Sequence, residues 1–402
     1  MLSYTPEALL CAVAQAIGPA SKAPPSGCCW LDGFGGSRHG TPKEDKTTMS
    51  HNEPHRATPA QMRRPRRRLA TRSAVIGLAL LLGTTGCTRF IQRTTGNVLV
   101  KHAADNGVPY VMQSQELDLA YNTGFSLATL IETFSTVGVN TAGTAIPLYV
   151  LAGFKAEQDN TFTNRMRYMR AVYAGNGPEA QDARIAERRG YAETAHLRYL
   201  AWKSAEKYFG PLGDKCPKMH GDIDNLLLTF GVLGGLLAVL DDANAMGVEG
   251  VPMDIAGKAA RTTDCLNNEQ WWGLPQAIKG AVWVSVPGAA PPGKSGWDQM
   301  NQAKAVGEKS GAFVAYVLEA MVAYSNGKID LLKQSIRDFV KKSAGKEPPK
   351  TAAIMNELAR QQLTVLSDML WIDATGHATP FGNLGKFPDD VAVVEDTSGL
   401  LP

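Results

Sequence analysis

Apolar residues recur at three- and four-residue steps from Ser114 onward, at Leu117, Tyr121, Phe125, Leu127, Leu130, Ile131 and Phe134, which predicts an amphipathic helix. Asn140–Thr144 interrupts the pattern, and further helices are predicted over Ala145–Gln158 and Thr161–Ala174. Gly175-Asn176-Gly177 then supplies turn residues, and Pro178 stands where a helix tolerates proline, at its first position. The long helix after it, Glu179–Gly210, carries Ala183, Ala186, Ala195, Ala201 and Ala205 as a stripe on which a neighbouring helix can approach closely. Arg184, Glu187, Arg188, Glu193 and Lys203 read as its solvated face. Leu226–Leu240 has no charge over 15 residues, too short for a bilayer span of roughly 20 but suited to a helix buried on most sides. Its Gly231, Gly234 and Gly235 either seat a crossing helix or line a cavity.

Further helices are predicted at Pro252–Arg261, Trp272–Val284, Trp297–Tyr324, Ile329–Lys342 and Thr351–Trp371. Strand signals are confined to Val282–Val286 and Val391–Val394, too few for a sheet. The expected fold is therefore all-α, a helical domain over residues 111–372 built of stacked antiparallel hairpins, with an irregular tail over 373–402. No 34-residue period is visible, so a TPR-like stack and an irregular bundle both stand at this point.

The N-terminal quarter has a different character. From Met62 the chain runs through five arginines by Arg68 and another at Arg72, then an uncharged stretch Ala74–Leu82, then small residues up to Cys87. This order is that of a secretory signal, and the apolar run is too short to be a permanent anchor. Leu82-Gly83-Thr84-Thr85-Gly86-Cys87 resembles the lipobox of bacterial lipoproteins, in which the cysteine thiol becomes thioether-linked to diacylglycerol. The resemblance implies lipidation at Cys87, removal of residues 62–86 as signal peptide, and a linker over 87–110 joining anchor to body. Thr88, where an aspartate would favour inner-membrane retention, implies the outer membrane with the body facing the periplasm. Residues 1–61, rich in Pro, Gly and Ser, are expected either to precede the working start at Met62 or Met49 or to form a disordered extension.

Charge follows the same division. The chain of 402 residues carries a formal +3, but residues 1–86 hold 11 Lys/Arg against 5 Asp/Glu, which leaves 30 basic and 33 acidic residues downstream. A slightly acidic body lacks the electrostatic footprint of a nucleic-acid binder. Of six cysteines, Cys11, Cys28 and Cys29 precede the signal and Cys87 is the lipid site, which leaves Cys216 and Cys265. In an oxidising compartment these two either pair or remain buried thiols.

One catalytic motif matches in full. Gly288-Ala289-Ala290-Pro291-Pro292-Gly293-Lys294-Ser295 satisfies the phosphate-loop pattern, after a strand-like segment and before a helix. Its chemistry argues against nucleotide binding through Gly288, Gly293, Lys294 and Ser295, because the loop works by aiming backbone N–H groups at an anion and Pro291 and Pro292 have none. Ser295 with Asp298 three residues on reads instead as a helix start. The body holds four histidines, His102, His196, His220 and His377, with no His-x-x-x-His and no Cys-x-x-Cys, so no metal site and no cofactor is expected. The pairs Asp222/Asp224 and Asp241/Asp242 fall at helix ends, where acids serve as caps or solvated charges. Trp271 and Trp272 are the candidates for lining an apolar ligand pocket, one facing the core and the other a ligand or solvent.

The lipoprotein signal, the helical order through residues 110–370, the helix Ala183–Tyr208 with its alternating Ala, Arg and Tyr, and the segment Met355–Leu363 together resemble the T component of tripartite ATP-independent periplasmic transporters. These are lipid-anchored periplasmic proteins made of TPR-like helical hairpins. The resemblance implies a homotrimer, an apolar channel or cavity through the helices, and docking of a periplasmic substrate-binding protein that hands over a small hydrophobic ligand. The expectation is a scaffold without chemistry of its own; a structural envelope lipoprotein without a ligand is the alternative.

Overall fold

The computed structural model describes residues 88–390. The segment 1–61, the signal 62–86, Cys87 and the strand-like Val391–Val394 lie outside the described residues. The fold is all-α, and among the described residues no strand occurs. The helices are α1 (88–102), α2 (Val108–Gln113), α3 (Leu117–Thr133), α4 (Ala142–Ala156), α5 (Thr163–Tyr173), α6 (Gly177–Phe209), α7 (Asp222–Asn244), α8 (Asp254–Thr262), α9 (Leu274–Ser285), α10 (Gly296–Ser310), α11 (Val314–Ser325), α12 (Ile329–Ser343) and α13 (Ala353–Thr375). Their lengths run from 6 to 33 residues without a repeating unit, so the architecture is an irregular helical bundle.

Three boundaries differ from those the sequence predicts, each for a local reason. The stretch expected as a linker over 87–110 is helical in its described part: α1 passes through a π-helical turn, Ala103–Gly107, into α2. The expected gap between the second and third helices is closed by another π turn, Glu157–Phe162, which adds a residue to the helix and re-phases its two ends. The single helix expected over Trp297–Tyr324 is two. α10 ends at Gly311, whose φ of 79° is the left-handed conformation that favours glycine at a helix C-terminus. Asn356 of α13 holds the corner, its Oδ1 accepting from Phe313 N at 2.8 Å and its Nδ2 donating to Gly311 O at 2.8 Å.

The centre of the core is the contact of α6 with α7, where small residues on both helices meet. Ala183, Ala195, Ala201 and Ala205 are fully buried. A Cβ on Gly231 would lie 2.5 Å from Ala205 Cβ, one on Gly234 3.1 Å from Ala201 Cβ, and one on Gly235 2.2 Å from the Trp202 ring. The glycines therefore seat the crossing helix. α7 is the one described helix long and apolar enough to cross a membrane, and it is buried in this core. A second cluster joins α11, α12 and α13 around Phe313, Ile336 and Leu363. Cys216, between α6 and α7, is bonded to Cys265, just after α8, with S–S 2.08 Å and Cα–Cα 5.3 Å.

Candidate functional site

At the end of the bundle where α13 returns to the N-terminal helices, a cavity of about 220 Å³ opens between α2, α3, α4 and α13. The local sequence explains why these helices come together yet leave space. Gly124 lets α3 sit directly on α4, since a Cβ there would lie 2.5 Å from Leu151 Cβ and 2.9 Å from Leu148 O. Pro147, inside α4, removes one helical N–H and faces the cavity. The remaining wall consists of large aliphatic and aromatic side chains, among them Val111, Leu148, Leu151, Phe230 and Leu358, and no charged side chain lines it. Polar atoms are few. Tyr121 donates its hydroxyl to Gln361 Oε1 at 2.6 Å, and burial pushes its pKa up, so it stays a protonated donor.

Beyond Phe154, Met355 and Leu358, which line both spaces, a recess of about 40 Å³ reaches Glu157, Arg198 and Gln362. Together with Asp241 these side chains form a buried ionic cluster drawn from four elements. Arg198 of α6, 1% exposed, donates Nη2 to Glu157 Oε2 at 2.8 Å, and Nη1 to Glu157 Oε1 at 3.2 Å and to Asp241 Oδ2 of α7 at 2.5 Å. Gln362 of α13 donates Nε2 to Glu157 Oε2 at 3.1 Å. The guanidinium lies over the Phe154 ring at 4.9 Å, while Arg198 Nε has no hydrogen-bond partner. Burial pushes the Asp241 carboxyl up to about 7, against the pull of Arg198.

The residues singled out in the sequence are placed otherwise. Trp271 and Trp272 line neither space; both are buried and meet edge to face at 5.7 Å. Positive φ at Trp272 (53°) and Gly273 (80°) bends the chain ahead of α9 and turns both indoles into the core. Residues 282–285 are the last turn of α9 and Val286 is its C-cap, so the strand–loop–helix frame of a phosphate loop is absent there. Lys294 is exposed, its N–H donates to Pro291 O at 3.0 Å, and Ser295 Oγ accepts from Asp298 N at 3.3 Å as a helix cap. Gly288 and Gly293 take positive φ in this connector.

The acids are corrected in three places. Asp241 and Asp242 are buried: Asp241 belongs to the cluster, and Asp242 accepts from Glu249 N and Val251 N. Glu187, expected in solvent, is fully buried between Arg165 and Arg184. Asp224 is also buried, accepting from the Tyr208 hydroxyl at 3.0 Å. Among the described residues, no group of three or more His, Cys, Asp and Glu could hold a metal ion.

The cluster itself is not among the sites expected from the sequence, although a signal exists. Ala183, Glu187, Gly190, Thr194, Arg198, Ala201 and Ala205 follow one another at three- and four-residue steps, so Arg198 and Glu187 fall in phase with the alanines. No protein-family model matches the chain, and neither a curated protein nor a solved structure does.

Proposed function

We propose that the chain is a lipid-anchored binding protein facing the periplasm from the outer membrane, holding an apolar ligand between α2, α3, α4 and α13 and performing no chemistry on it. The observation that carries this reading is the cavity of about 220 Å³ with its uncharged, largely apolar wall. Side chains facing empty apolar space forgo dispersion contacts that a ligand of matching shape restores, and water has few partners there. The Cys216–Cys265 bond suits an oxidising compartment, and the signal-like segment ending at Cys87 suits export. On this reading the protein serves as an accessory of a transporter of the tripartite periplasmic type, as a homotrimer to which a substrate-binding protein docks.

The test is a titration of the purified mature chain with a neutral apolar fluorophore such as N-phenylnaphthylamine. Saturable one-site binding is expected, and it is lost in Leu151→Trp, which fills the cavity, with little change in melting temperature. Absence of saturable binding by the wild type sinks the ligand-carrier reading and leaves the structural lipoprotein. Intact-mass analysis after expression in a Gram-negative host tests the anchor: a chain beginning at acylated Cys87 is expected, and an unmodified chain retaining residues 62–86 overturns it.

A further inference from the structure

The recess at the inner end of the cavity carries chemistry that an apolar ligand alone would not need, and any role for it in binding rests on the proposed function of the cavity as a ligand site. Phe154, Met355 and Leu358 are the side chains that border both the apolar space and the recess. A molecule seated in the cavity therefore has three side chains between its inner end and Glu157, Arg198 and Gln362. None of the three is branched at Cβ, and the flexible chains of Met355 and Leu358 can change rotamer to join the two spaces.

The charges of the recess decide which head group it accepts. Glu157 and Arg198 line it, and Asp241, outside the lining, accepts from the same guanidinium, so two carboxyl groups share one cation and all three are at most 7% exposed. Both terminal nitrogens of Arg198 already donate to carboxylates. Its remaining nitrogen, Nε, has no hydrogen-bond partner and faces Gly153 of α4, where a Cβ would stand 3.3 Å away. An incoming carboxylate would find both terminal guanidinium nitrogens engaged and the like charge of Glu157 beside it. Glu157 has acceptor capacity to spare: its two oxygens offer about four lone-pair sites, of which Arg198 and Gln362 use three.

We infer that the site takes a cationic amphiphile, whose apolar tail fills the cavity between α2, α3, α4 and α13 and whose ammonium head enters the recess and donates to Glu157. Above about pH 7, where Asp241 is ionised, the head supplies the positive charge that two carboxylates around a single guanidinium lack, and a buried charge is tolerated only when so paired. Acyl carboxylates of the same chain length are disfavoured by the same arithmetic.

The experiment is displacement, at pH 8, of the neutral fluorophore from the full mature chain by dodecylammonium, dodecanol and dodecanoate, each below its micellar concentration. Dodecylammonium is expected to displace at a concentration at least about tenfold lower than dodecanoate, with the alcohol between them, since like-charge juxtaposition in a desolvated site is costly. Glu157→Gln should abolish the discrimination while fluorophore affinity stays. Asp241→Asn, which keeps an acceptor for Arg198, should narrow it and serves if Glu157→Gln does not fold. Equal or tighter binding of dodecanoate by the wild type overturns the inference, as does a preference unchanged in the variants. Failure of the fluorophore itself to bind is a separate outcome that removes the cavity reading and this inference with it.

Discussion

The α6–α7 contact and the space between α2, α3, α4 and α13 are both apolar, yet one is closed and the other open. In the first, alanines of one helix meet glycines of the other so closely that an added Cβ would lie 2.5–3.1 Å from the facing methyl, and Trp202 covers Gly235 with 1% of its surface exposed. In the second, Gly124 brings α3 onto α4 just as closely, but around that point the walls are long side chains that leave about 220 Å³ unfilled. Hydrophobic composition alone therefore does not distinguish core from binding site. The distinction lies in whether side-chain volumes are complementary, because interiors approach crystal-like packing only where they are.

The same deletion made in both regions puts that contrast to the sharpest test. Leu228→Ala, in the closed region at 0% exposure, should cost about 4–5 kcal/mol, and Leu148→Ala, on the cavity wall, about 2 kcal/mol. The range for such changes reflects how many contacts the side chain had to lose. Urea unfolding of the two variants checks it, and equal losses would mean that the cavity is filled by neighbouring side chains in solution. Removing the cross-link that clamps the closed region, as Cys216→Ala with Cys265→Ala, should cost about 4 kcal/mol by loop-closure entropy; it spans 49 residues of sequence. Melting of the double variant against the oxidised wild type reads that loss. A smaller effect, about 1–3 kcal/mol, is expected for Gly235→Ala, whose new methyl would drive into the Trp202 ring. A neutral outcome there would show that α6 and α7 can slide apart without penalty.

The closed region was legible in the sequence and the open one was not. The alanine stripe of α6 and the uncharged, glycine-bearing run of α7 are periodic features of single helices, and a contact between two such faces follows from helix geometry. So do the N-terminus at Pro178 and the cap at Ser295, which depend on neighbours along the chain. The cavity depends on which long side chains happen not to meet, and it joins Val111 to Leu358 across most of the helical domain. Aromatic content singles out Trp271 and Trp272 but says nothing of the backbone bend at Trp272 and Gly273 that buries both rings. Charge points Glu187 to solvent, whereas its phase with the alanines puts it, and Arg198 with it, on the buried face. Glu157 was hidden because the π turn that positions it has no sequence signature in a single chain.

The ionic cluster lies on the border between the two regions, with Arg198 and Asp241 on the closed helices and Glu157 beside the recess. Asp241 is faced by Arg198 and Tyr191 of α6, by Glu157 from the π turn and by Asp242 beside it in α7. Burial outweighs the guanidinium and raises its folded-state pKa to about 7, above the ordinary carboxylate value near 3.9. The folded state thus binds a proton that the unfolded state has released over the interval between those values. The resulting stability is fully present below the ordinary carboxylate pKa and is lost as pH rises through about 7. Asp241→Asn carries no such proton, so the wild type should lose stability relative to it between about pH 4 and pH 8, as read from urea midpoints at several pH values. A constant offset between the two proteins would mean that Arg198 holds Asp241 ionised throughout. The border would then be a fixed ion pair with a full excess negative charge, and the preference for an ammonium head would persist at acid pH instead of fading.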